Sequence, residues 1–212
     1  MMIIILLCSG CGEEPVQLDI AGTTGVAGAL KGLWASGCVV IPEARRVTTF
    51  GKSVRRESTF TQDLLTEVTR LYSDEVCDNR SATITRTMTY VVLEPTPDDD
   101  TINFFQTQFQ SGLINFTSGS FALKVNTDKL CGTGIFFERN EDTFVVDQDC
   151  DLVSTNTIVF PPRGGFLFDL VQVDKKDGQD RIRFGDLSTG DGKTETTRPT
   201  TILPFEQLRT AF

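Results

Sequence analysis

Histidine is absent from all 212 residues. Without imidazole, Ser-His-Asp and Cys-His catalysis and every His-liganded metal site are excluded. That points to binding rather than catalysis. Surplus positive charge is also lacking: 20 Lys and Arg face 29 Asp and Glu, a formal charge of −9 and a pI near 4.6. Nucleic acid demands a cationic footprint, so it is not an expected partner. The opening apolar run, Met1 to Leu7, is far short of the ~20 residues that span a bilayer, and the mean hydropathy of −0.08 argues against a membrane-spanning chain. Nucleophile-elbow, phosphate-loop, S-x-x-K and EF-hand patterns are missing, so no cofactor or metal is expected. Phe is the abundant aromatic, 16 residues against one Trp and two Tyr, and supplies material for a dry core.

The first residues, MMIIILLCSGCGEE, place a short apolar stretch before Cys8-Ser9-Gly10-Cys11 and an abrupt polar break. This resembles the amino terminus of a bacterial lipoprotein, in which a lipobox of small residues precedes the acylated Cys. The resemblance implies that residues 1–10 are a removed signal peptide and that Cys11 carries the lipid. Several acyl chains together anchor stably, so a membrane partner through the N-terminal lipid is implied. Gly12 rather than Asp at the following position implies the outer membrane of the cell envelope. Residues 11–31, with Gly22, Gly25 and Gly28, are expected to be a flexible tether, leaving 32–212 as one domain.

With Cys8 removed and Cys11 acylated, four cysteines remain: Cys38, Cys77, Cys131 and Cys150. An even number in an exported chain reads as two disulfides with three possible connectivities. Cys38–Cys77 and Cys131–Cys150 are favoured, because each joins neighbouring segments. The spacings of these four contain no C-x-x-C pair, which argues against zinc.

Thr, Val and Phe then dominate, punctuated by Gly, Asp and Pro. In Ala82 to Leu93, Ile84, Met88, Tyr90 and Val92 occupy one parity and Thr residues the other, the pattern of a half-buried strand. Residues 166–173 are apolar on both parities and predict a doubly covered strand, followed by a tight turn at Asp177-Gly178. Further strands are expected at 32–38, 53–61, 102–109, 112–117, 133–138, 143–147, 156–160 and 198–203. Leu64, Leu65, Val68, Leu71 and Tyr72 have helical spacing behind Asp63, but the Thr and Val content favours a strand. Ser120 to Leu130 predicts one short helix closed by Gly132. The expected fold is an all-β, disulfide-bonded antiparallel barrel of about eight strands.

Gly32-Leu33-Trp34 resembles the G-x-W that opens the first strand of lipocalins. In that family the Trp closes the barrel floor and a late Arg lies across it. The resemblance implies that Gly32 and Trp34 form the floor with Arg183, or Arg181 in its place. A wider likeness, to small lipocalin-like lipoproteins of uncharacterised function, spans most of residues 30–203. It runs through Cys38, Phe60, Tyr72-Ser73-Asp74, Cys77, Leu130-Cys131-Gly132, Arg183 to Leu187 and Thr197 to Thr200.

Such a barrel holds at most one small ligand. Phe60, Met88, Tyr90, Phe104, Phe116, Phe137 and Phe168 are candidates to line an apolar ligand cavity, or else to fill it. The Asp147, Asp149, Asp151 and Asp174, Asp177, Asp180 series read as surface charge rather than calcium sites. Arg45, Arg46, Lys52, Arg55 and Arg56 read as a solvated hairpin, with anionic headgroups or an acidic partner as the functional alternative. Three functions compete. A carrier of a small apolar ligand stands first, and an interaction or structural module with a filled core second. A carboxylate hydrolase is a distant third.

Overall fold

Period-2 patterning broken by Gly, Asp and Pro leaves this chain little but extended structure, and the computed structural model is built accordingly. It describes residues 26–43, 46, 50–152 and 158–210. Residues 1–10, expected to be a signal peptide, together with Cys11 and residues 12–25, lie outside the described residues, as does Arg45. In chain order the elements are α1 (Val26–Leu30), β1 (Gly32–Ala35), β2 (Val39–Val40), β3 (Ser53–Phe60), β4 (Leu64–Tyr72), β5 (Arg80–Pro95) and β6 (Ile102–Phe116). There follow α2 (Gly119–Asp128), β7 (Asp142–Phe144), β8 (Gln148–Cys150), β9 (Ile158–Phe160), β10 (Phe166–Lys176), β11 (Gln179–Gly185) and β12 (Ile202–Arg209).

Strands β3, β4, β5, β6, β10, β11 and β12 pair antiparallel in that order, and β1 joins β12 to β3. The sheet thus closes as an eight-stranded antiparallel barrel, as expected. Closure leaves no edges among the barrel strands, and the interior of eight strands is filled by side chains or holds one small ligand. The segment 64–72 is a strand, its helical spacing overridden by pairing on both sides. Asp177 and Gly178, both at positive φ (52° and 82°), make the two-residue turn between β10 and β11, where glycine tolerates the left-handed geometry.

Several expectations are corrected. Candidates 102–109 and 112–117 form one strand, β6, with a register shift opposite Thr87/Met88. Residues 133–138 make no strand. Gly132 and Gly134 sit at φ 76° and 97°, and Asn126 brackets Phe137 with two hydrogen bonds of 2.9 Å. The strand expected at 198–203 starts at Ile202 and runs on to Arg209. On β10 the double covering is confined to Leu170 and Val171, 3% and 0% exposed.

At one end of the barrel α1 closes the floor. Its residues fall within the stretch expected to be a tether, yet Leu30 is fully buried. Trp34, also fully buried, donates its indole N–H to the Leu30 carbonyl at 2.6 Å. The cation over Trp34 is Arg209, 4.6 Å from the ring centroid, and neither Arg183 nor Arg181. Strand parity explains the correction. Ile182 and Phe184 point inward on β11, so Arg181 and Arg183 point outward, where both bind Asp174. Arg209 instead pairs in register with Trp34 across β12 and β1.

At the other end α2 lies over the opening. Ser118 caps it by accepting the Phe121 amide, and Lys129 ends it in the left-handed region. Phe121, Ala122 and Val125 are buried beneath it, with Phe121 stacked on Phe50 and edge-on to Phe116. The two disulfides are Cys38–Cys77 and Cys131–Cys150, the expected connectivity. Closing loops of 39 and 19 residues, each contributes on the order of 3–4 kcal/mol by restricting the unfolded chain.

Candidate functional site

Between these two apolar ends the barrel interior is charged. Alternation turns Val54, Arg56, Ser58 and Phe60 inward on β3, and Leu65, Glu67, Thr69 and Leu71 inward on β4. Ile84, Arg86 and Met88 follow on β5, and Leu167, Asp169 and Val171 on β10. Register places Glu67 directly opposite Arg86, and the guanidinium meets the carboxylate at 2.5 Å, with the side chains 21% and 20% exposed. Arg86 also donates to the Val159 carbonyl at 3.2 Å. This pair is complete.

Arg56 is not. Its Nε is buried without a partner, and no carboxylate among the described residues lies within ion-pairing distance. Its guanidinium rests over the Phe205 ring at 5.0 Å. Burial pushes the Arg56 pKa below its usual value; Glu67 and Asp169 oppose that shift and Arg86 reinforces it. A guanidinium remains charged at any physiological pH regardless.

Asp169 faces Arg56 from the far side, since β3 and β10 are four strands apart in the ring of eight. Its Oδ1 accepts the amides of Leu170 at 2.7 Å and Gly185 at 3.0 Å. Gly185 must be glycine for this approach, because a Cβ there would stand 2.4 Å from Oδ1 and 2.7 Å from Pro199. Burial pushes the Asp169 carboxyl up to about 7, the two amides holding it down and Glu67 adding to the rise. Asp169 Oδ2 takes no hydrogen bond among the described residues.

These groups surround a cavity of about 80 Å³ rimmed by Ile158, Leu187 and Leu203. A second space of about 40 Å³ shares Glu67, Arg86, Asp169 and Leu187. At roughly 10–15 Å³ per water, the larger one has room for about half a dozen water molecules. Chemically it offers one uncompensated cation, one neutral ion pair and one carboxyl that is mostly protonated below pH 7.

Of the residues expected to line an apolar cavity, Met88 and Phe168 border the space of about 40 Å³, and the set otherwise forms core or outer surface. Phe60, Met88, Phe116 and Phe137 are each at most 2% exposed. Phe60 is edge-on to Tyr90 at 5.1 Å and Phe116 to Phe137 at 5.1 Å. Phe104 and Phe168 carry the outward parity and bracket Arg198 outside the barrel, at 4.3 and 5.6 Å. The basic hairpin also disperses. Arg46 pairs with Glu75, Arg55 lies over Tyr72 and Arg56 turns inside. The acidic series bind cations of the chain itself: Asp149 pairs with Lys193, Asp174 with Arg181 and Asp180 with Arg209. Arg56, Glu67, Arg86 and Asp169 went unread as a set, although Arg86 shares the buried parity of Ile84 and Met88.

Fold and site together define a closed antiparallel β-barrel with a charged interior cavity. No family model matches the chain, and a search of curated proteins finds no relative.

Proposed function

We propose that the chain is a lipid-anchored protein of the bacterial cell envelope whose barrel binds one small molecule in its interior. The observation that carries the reading is the unfilled polar space at the barrel's middle, where an unspecialised interior would be close-packed. The lipocalin-like opening Gly32-Leu33-Trp34 and the sealed floor are consistent with a one-ended container. The packed Phe residues argue for a ligand smaller and more polar than the apolar one the sequence suggests. Lack of histidine supports binding over catalysis. Anchoring rests on the Ser9-Gly10-Cys11 motif, and Cys11→Ser is expected to move the chain from the membrane fraction to the soluble one.

The binding reading is tested by native mass spectrometry of the chain after periplasmic production. A bound small mass, lost on denaturation, is the expected result. A bare chain under every condition would favour an interaction module. That second reading draws on Phe136 and Phe144, 68% and 73% exposed near one rim.

A further inference from the structure

We propose that the interior cavity is a receptor for a compact carboxylate, gripped by the guanidinium of Arg56 with Asp169 on the facing wall. The proposal deepens, and rests on, the reading of the barrel as a binding module.

Three observations point to this ligand class. The first is the missing partner: Arg86 is matched to Glu67 at 2.5 Å, whereas Arg56 has, among the described residues, no counter-ion and a buried Nε with no acceptor. A guanidinium inside a barrel is expensive to leave unpaired, and its planar fork fits a two-oxygen anion. The second is size. About 80 Å³ accommodates roughly half a dozen heavy atoms, judged from the space one water needs. That is the scale of acetate or lactate and excludes a lipid chain or a nucleotide. The third is the opposite wall. Asp169 keeps Oδ1 on two amides and leaves Oδ2 free, so in its acid form the carboxyl donates an O–H toward the second oxygen of a bound anion.

The charge count gives the pH dependence. Glu67 of β4, Arg86 of β5 and Arg56 of β3 face Asp169 inside the barrel, and Asp191 of the covering loop lines the adjoining space. Below pH 7 the Glu67–Arg86 pair cancels, Asp169 is largely neutral, and Arg56 leaves the cavity with one positive charge. Above it Asp169 ionises, the cavity approaches neutrality, and a like charge faces the ligand. Affinity for a carboxylate is therefore expected to fall as pH rises through 7, by roughly tenfold for one added like charge at this range.

The test uses the full chain, with sodium lactate and sodium acetate as probes. Lactamide serves as the neutral control and sodium chloride as the ionic one. Both carboxylates are expected to raise the thermal midpoint at pH 6, lactamide and chloride to leave it unchanged, and the carboxylate shift to shrink at pH 8.5. Arg56→Gln should abolish the shift. Asp169→Asn, which keeps a donor without the charge, should bind equally at both pH values. If Arg56→Gln fails to fold, as judged by the near-ultraviolet signal of Trp34, the flattened pH profile of Asp169→Asn decides. Absence of any carboxylate shift, or an undiminished shift in folded Arg56→Gln, overturns the assignment. A neutral molecule found by mass spectrometry and retained by Arg56→Gln would also sink it while leaving the binding-module reading intact. No bound mass and no probe binding would end both.

Discussion

Asp169 and Asp174 share strand β10, yet their surroundings push them in opposite directions. Their odd separation puts them on opposite faces of the barrel wall. Outside, Asp174 accepts from Nε and Nη2 of Arg181, each at 2.6 Å, and a third bond from Arg183 at 3.0 Å. Those hydrogen bonds, Arg181's first, hold its carboxyl below the ordinary range. Glu206 and Lys176 extend the network. Inside, Asp169 meets two amides and, among the described residues, no ion-pair partner, and burial raises it to about 7. The same residue types are fully paired around Asp174 and only partly paired around Asp169. In the interior, where an unpaired charge is costly, Arg56 has no counter-ion among the described residues.

The sharpest way to break this contrast is Arg86→Met. It strands Glu67 in the interior and is expected to cost about 3 kcal/mol, since removal of one member of a buried pair leaves an uncompensated charge. Urea denaturation would measure it, and a loss below about 1 kcal/mol would make the interior as forgiving as the surface. Next is Asp169→Asn. The unfolded carboxyl titrates near 3.9 and the folded one near 7, so between those values the folded state holds the extra proton. The stability contributed by this group is therefore present at low pH and lost as pH rises through 7, by on the order of 2–4 kcal/mol. The Asn variant should lack that slope, and parallel stability profiles between pH 4.5 and 8 would refute the assignment.

At the floor, Arg209→Met should cost about 1 kcal/mol and alter the near-ultraviolet signal of Trp34, through loss of a partly exposed cation–π contact. Arg183→Met should leave that signal untouched. The smallest effect belongs to Arg181→Met on the outer face, below about 1 kcal/mol and vanishing in concentrated salt. Its pH sign is the reverse of Asp169's. Asp174 contributes stability above the ordinary carboxylate range and loses it on acidification.

What could be read from the sequence follows the same division. Strand existence, the Asp177-Gly178 turn, the disulfide pairing and the buried Trp34 were legible because each is local or is governed by spacing. Arg183 does not reach the floor because its parity is opposite to that of the inward Ile182 and Phe184, whereas Arg209 sits in register with Trp34. Phe104 and Phe168 were misplaced for the same reason. They look like core by composition but carry outward parity and are covered by the loop that brings Arg198. The charged cavity was partly visible: Arg86 lies between Ile84 and Met88 at the buried parity, and Arg56 between Val54 and Ser58. What could not be read was their convergence with Glu67 and Asp169, which depends on barrel closure. Three strands separate Arg56 from Asp169 in either direction round the ring.

Closure also governs the order of assembly. The last strand meets the first, and Thr210 bonds the Leu33 carbonyl across 177 residues. Nearly the entire chain must therefore be available before the ring can shut, a topology of high contact order that folds slowly. Until β12 arrives, β1 and β11 each present an open edge to any neighbouring strand. A chain shortened before Ile202 would keep both disulfides and most of its pairings, yet remain a sticky, unclosed sheet. The terminal eight residues of the barrel thus act as a completion check, separating a closed barrel from an aggregation template.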